Sequence, residues 1–113
     1  MPPEAVKRIW DAADACRRIE LFLDGKSREE FIASELLRAG VERQLEIIGE
    51  ALNKAASAWP QLVFNVPEIP RIVGLRNRLI HGYDGVDPEL IWDVAVTKIS
   101  SLRATLEDLE SGR

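Results

Sequence analysis

Apolar residues recur along almost the whole chain at steps of three and four, and no stretch holds the two-residue alternation of a half-buried strand. After Pro2 and Pro3, the run Val6, Ile9, Trp10, Ala13, Cys16, Glu20 and Leu23 keeps helical spacing, with Lys7, Arg8, Asp11, Asp14, Arg17 and Arg18 mostly off that stripe. This predicts a first helix that stops near Asp24 and Gly25. Ser27-Arg28-Glu29-Glu30 has the form of a capping box and predicts the start of a long second helix. Its seam continues through Leu37, Val41, Leu45, Ile48, Leu52 and Ala55 until Ala58-Trp59-Pro60 ends it. Gly40 and Gly49 weaken that helix unless a neighbour uses the missing side chains for close approach. Close approach is the expectation.

Pro60, Pro67 and Pro70 break the next ten residues into loop or single turns. A third helix is predicted from about Glu68 to His81, with Ile69, Ile72, Val73, Leu75, Leu79 and Ile80 apolar and Gly82 as its stop. Asp87-Pro88-Glu89 supplies the cap, first-position proline and first-turn acid of a fourth, which carries Trp92, Ala95, Ile99, Leu102, Leu106 and Leu109. The sum is an all-α bundle of four to five roughly antiparallel helices, one domain over residues 1–113.

Composition narrows the setting. Hydrophobic residues make up 46% and charged residues 30%, the balance of a soluble globular protein. No apolar run is long enough to span a bilayer and the first residues lack a secretory signal, so the cytoplasm is expected and a membrane role is not. Cys16 is the single cysteine, which excludes an internal disulfide and a cysteine-based zinc site; its apolar neighbours predict core packing. The net charge of -4 argues against broad affinity for nucleic acid. Locally the balance reverses: from Asn65 to Tyr83 the chain holds Arg71, Arg76 and Arg78 against Glu68 alone.

That cationic segment ends in RNRLIHGYD, residues 76–84, which contains the chain's only histidine and only tyrosine. On a continuous helix Asn77 and His81 lie one turn apart on one face, whereas Arg76 and His81 border a wider face, about 140° apart. Arginine binds two phosphoryl oxygens at once, and imidazole exchanges a proton near neutral pH, so the pair fits cleavage of an RNA phosphodiester by its own 2′-hydroxyl. No metal or cofactor is required for that chemistry. With one histidine per chain, either His81 acts as base and then acid, or a symmetric dimer contributes two. Rival chemistries fare worse: no serine stands in a nucleophile elbow, and His81 with Asp84 and Asp87 falls short of a metal-ligand spacing.

Arg76, four residues, His81, one residue and Tyr83 together match the RxxxxHxY motif and resemble the HEPN-domain toxins of the HepT type. VERQLEIIGEAL (41–52), VGLRNRLIHGY (73–83) and the turn at 84–87 resemble that family at the same relative positions. The resemblance implies a dimer-forming HEPN-type bundle and a metal-independent endoribonuclease, the toxin of a prokaryotic type II/VII toxin–antitoxin pair. It makes Arg76 and His81 catalytic, with Asn77 positioning substrate or His81 and Arg78 a further substrate contact. The implied partners are RNA, a second copy of the chain and a minimal nucleotidyltransferase antitoxin, which in such systems attaches AMP to the motif tyrosine, here Tyr83. The competing readings are a non-catalytic HEPN module that scaffolds a nucleotidyltransferase or binds nucleotide or RNA, and a structural helical dimer in which the motif is only a helix end. Trp10, Trp59 and Trp92 are expected in the core or an interface, and Glu42, Glu46 and Glu50 on a solvated face paired with Arg43 or Lys54.

Overall fold

The computed structural model describes residues 1–82 and 85–112. Among them the chain is helical throughout, in the order α1 (Pro3–Leu23), α2 (Arg28–Ala33), α3 (Glu35–Ala58), α4 (Leu62–Asn65), α5 (Ile69–His81), α6 (Pro88–Thr97) and α7 (Ile99–Glu110). The all-α bundle is as expected. The larger number of helices arises because two expected helices are each divided and because the proline-rich connection contains a single turn, α4.

Both divisions have local causes. The capping box forms at Ser27, whose hydroxyl accepts from Glu30 N–H while the Glu30 carboxylate accepts from Ser27 N–H. Seven residues later Ser34 turns extended and its hydroxyl accepts from Leu37 N–H at 3.1 Å, so a second cap restarts the helix as α3. The Arg38 guanidinium donates to Ile32 carbonyl oxygen and so satisfies one of the end carbonyls of α2. Between α6 and α7 the Thr97 hydroxyl donates to Asp93 carbonyl oxygen at 2.5 Å, a back-bond that bends helices, and Lys98 marks the corner. Asp87 caps α6 through Glu89 N–H, as its sequence predicts.

α3 is the axis of the molecule, packed by α1 on one side and α5 on another, while α7 lies along α1. α1 and α3 are antiparallel: Gly40 faces the Phe22 ring, whereas Arg8, near the other end of α1, senses the charge of Glu50. α7 also runs antiparallel to α1, since Arg103 binds Glu20 and Arg17 reaches Glu107 at 3.0 Å. Ile9, Ile19, Phe31, Ile48, Leu52 and Leu106 are fully buried at the centre. Phe31 packs on Trp92 with ring centroids 5.6 Å apart, which ties α2 to α6 together with the Arg28–Glu89 ion pair.

Cys16 is buried, as its neighbours predict, and burial pushes its thiol up to about 12. The expectation for the tryptophans needs one correction. Trp59 and Trp92 are partly buried against the core, but Trp10 is 50% exposed, with the Arg17 guanidinium 6.0 Å above its ring. No described helix is long and apolar enough to cross a membrane.

Candidate active site on α5

α5 is amphipathic but shallowly seated: Ile69 alone on it is fully buried, while Ile72, Val73, Leu75 and Leu79 are partly covered. Its outer face carries Asn77, Arg78 and His81, all exposed. What holds the helix close is Gly49 of α3. A Cβ at that position would lie 2.4 Å from Arg76 Cβ, 2.9 Å from Arg76 Cγ and 3.3 Å from Ile72 carbonyl oxygen. Only a glycine lets the Arg76 stem lie directly on the α3 backbone. Gly40 does no such work, because a Cβ there would meet Phe22 at an ordinary 3.5 Å.

This seating governs the guanidinium. Arg76 Nη1 donates to Asn77 Oδ1 at 3.0 Å, and Arg76 Nε is buried without a hydrogen-bond partner among the described residues. Asn77 therefore orients the arginine, a role its position beside Arg76 suggests only in part. The stem is fixed with Nε inside the α3–α5 contact, so the terminal nitrogens of the guanidinium are the donors left to meet a phosphate. Glu50, next to Gly49, lies within electrostatic reach; Lys54, hydrogen-bonded to it at 3.1 Å, holds its carboxyl below the usual range, and Arg76 and Arg43 add to the effect. Arg43 pairs with Glu46, so the acidic repeat on α3 is a solvated, ion-paired face as expected, except at Glu42, where burial raises the carboxyl.

His81 is the last residue of α5. Helix geometry sets it about 7.5 Å along the axis from Arg76 and about 140° around it. Gly82 follows as the cap, its N–H donating to Arg78 carbonyl oxygen at 2.8 Å. Its backbone is not left-handed, but a Cβ there would lie 2.5 Å from that same carbonyl oxygen, so glycine is required by crowding. Arg76 and Asn77 are thus in contact, His81 and Arg78 share the outer face, and Tyr83, the expected modification site, lies outside the described residues, as does Asp84. Among the described residues no group of three or more His, Cys, Asp and Glu is arranged to hold a metal ion.

The model of the family described as HepT-like, ribonuclease HepT-like, matches residues 12–109, nearly the whole chain and all of α5. The chain belongs to the HepT-like ribonuclease family. Among its relatives is a Thermococcus cleftensis protein named "Probable ribonuclease HepT", 36% identical over 103 residues, covering 89% of this chain and 91% of that one. A Methanocaldococcus jannaschii protein whose name describes it as a candidate RNase is 32% identical over 99 residues, 88% of this chain and 90% of its own. A similarly named protein of Caldanaerobacter subterraneus is 33% identical over 85 residues, 75% of each chain. No solved structure matches the chain significantly.

Proposed function

We propose that this HepT-like protein is a metal-independent endoribonuclease in which Arg76 and His81 carry the reaction. The observation that supports it most directly is the seating of Arg76 on Gly49, with Nε buried and unpartnered and Nη1 held by Asn77, on the helix that ends in His81. In the reaction His81 takes the proton of a ribose 2′-hydroxyl, and the 2′-oxygen attacks the adjacent phosphorus. The P–O5′ bond breaks, and an imidazolium returns a proton to the leaving 5′-oxygen. Arg76 binds the phosphoryl oxygens and offsets the charge that grows on them in the transition state. The products are a 2′,3′-cyclic phosphate and a 5′-hydroxyl.

A homodimer suits this chemistry, because two copies supply a second histidine and can complete the wide face between Arg76 and His81. Ile80, 43% exposed beside His81, provides apolar surface for such a contact. In the full proposal the protein is the toxin of a toxin–antitoxin pair, and a minimal nucleotidyltransferase silences it, by attaching AMP to Tyr83 or by masking. AMP there adds bulk and negative charge beside the phosphate-binding arginine.

The test compares wild type with His81→Ala on mixed RNA in EDTA, with folding checked by circular dichroism. Cleavage by wild type alone, leaving 2′,3′-cyclic phosphate ends, is the expected result. Absence of cleavage by folded, unmodified wild type across several RNAs overturns the proposal in favour of a binding module.

A further inference from the structure

The basic side chains of this acidic protein are mostly neutralised within it. Lys7, Arg8, Arg17, Arg18, Arg28 and Arg43 each hold a carboxylate, as do Lys54 and Arg103. Lys26, Arg71, Arg78 and Lys98 are exposed and have no ion pair among the described residues; Lys26 stands apart between α1 and α2, and the other three lie on α5 and at the corner of α6 and α7. These three are not scattered. Arg71 and Arg78 stand seven residues apart on α5, so they are aligned within about 20° and separated by about 10 Å along the axis. Arg71 and Lys98 line a single cavity of about 400 Å³ between α5 and the corner of α6 and α7, floored by α3.

The cavity differs in kind from the surface around Arg76. Leu45, Ile48, Ile72 and Leu75 give it an apolar floor, while Glu68, Thr97 and Ser101 bring acceptors and hydroxyls to its rim. Its volume lies in the range of small-molecule sites, and an apolar slot with a few convergent polar groups and cations at the mouth is the chemistry that takes a nucleobase with its phosphate outside. An arginine plane can stack on the base, and Glu68 can accept from an exocyclic amine. From Arg71 to His81 the rise is about 15 Å, a few nucleotides of strand, and Arg78 lies between them on the exposed face.

We infer that this cavity is a base-binding subsite for a nucleotide flanking the cleavage position, with Arg78, Arg71 and Lys98 tracking the RNA phosphates that lead to it. The inference rests on the ribonuclease reading for its place in the reaction, but not for the binding itself.

A fully 2′-O-methylated hexanucleotide, which cannot be cleaved, tests it by titration of the full chain at several salt concentrations. Arg71→Ala with Lys98→Ala should weaken binding at least tenfold and flatten the salt dependence by about 1.4 units of slope, the share of two single-strand phosphates. Ser101→Trp leaves every charge in place but fills the slot, and it should also weaken binding about tenfold. The ratio of kcat/KM for a cleavable hexanucleotide to that for a dinucleotide should fall in both variants. Unchanged binding in both overturns the inference. Loss in the charge variant alone overturns it in favour of unspecific attraction, and a change of sedimenting mass in Ser101→Trp overturns it in favour of a contact with a second copy. Wild type that binds the hexanucleotide through these residues yet cleaves no RNA upholds the subsite and removes the ribonuclease reading.

Discussion

α1 and α5 both pack against α3, yet they are built on opposite terms. α1 buries seven residues, and its exposed charges are tied to its own carboxylates or to α7. α5 fully buries Ile69 alone, depends on a glycine for its approach, and leaves Arg71, Arg78 and His81 without ionic partners among the described residues. The first region holds the fold; the second leaves exposed the cations and the histidine to which the proposed reaction is assigned. A helix whose cations were neutralised and whose face was covered would gain stability and lose the means to meet a phosphate.

The largest effect expected from this contrast is at Cys16. Its thiol is displaced from 9.0 to about 12 chiefly by burial, which suppresses the reactive thiolate about a thousandfold even before access is counted. At pH 8 the native protein should resist alkylation while the urea-unfolded chain reacts at once. In a Cys16→Ala background, Asn77→Cys on the outer face of α5 should react at the rate of a free thiol. Native labelling of Cys16 on the same timescale would show the α1 side to be loose and dissolve the comparison.

Next comes packing. Ile48→Ala, at a fully buried position of α3, should cost roughly 2 to 5 kcal/mol in urea unfolding, whereas Ile80→Ala, 43% exposed, should cost under about 0.5 kcal/mol at concentrations low enough to keep the chain monomeric. A cost at Ile80 comparable to that at Ile48, measured at dimer-forming concentrations, would mean that the outer face of α5 is covered in solution.

Which of these features the sequence reveals follows from how local their causes are. The stripe of α3, the Ser27 capping box and the Asp87-Pro88-Glu89 start depend on neighbours three or four residues away and are read correctly; on α1 the helix is read but its buried face is not, since Ala5, Ala12, Ala15 and Ile19 are buried while Val6 and Trp10 of the expected stripe are exposed. The division at Ser34 is hidden because the apolar seam runs on past it, and only the choice of the Ser34 hydroxyl for Leu37 N–H breaks the helix. The corner at Lys98 is hidden for a similar reason, the Thr97 back-bond. RxxxxHxY singles out α5 as the candidate site helix, but not that Asn77 holds Arg76. Close approach was equally expected of Gly40 and Gly49, and only the tertiary contact with Arg76 separates them. The groove beside Arg71 and Lys98 has no linear signature, since its walls are contributed by three separate parts of the chain.

The two glycines provide the third test. Gly49→Ala forces α5 outward against Arg76 Cβ and should cost about 1 to 3 kcal/mol by overpacking, with RNA cleavage falling by a larger factor than stability explains. Gly40→Ala meets only an ordinary contact with Phe22 in mid-helix and should stabilise by about 0.5 to 1 kcal/mol with cleavage unchanged. Equal effects at both positions would remove the claim that Gly49 seats the arginine.

The smallest effect lies at the α2 cap, off the α5 face, and it fixes the sign of the pH dependence. Glu30 is held below the usual carboxylate range chiefly by accepting Ser27 N–H, then by its bond with the Ser27 side chain. A depressed carboxyl contributes stability that is present above its unfolded value near 4.5 and is lost as pH falls through the lower folded value. Ser27→Ala removes the hydroxyl cap and should cost about 1 kcal/mol at pH 7. The deficit relative to wild type should shrink as the pH falls through the lowered folded value of Glu30, where the protonated carboxyl no longer serves as the reciprocal acceptor. Thermal melts of both proteins between pH 3 and 7 check this, and a constant deficit across that range would show that Ser27 acts without Glu30. Cleavage at pH 7 should be indifferent to the substitution, because α2 packs on α3 and α6 and Arg76 takes its position from Gly49.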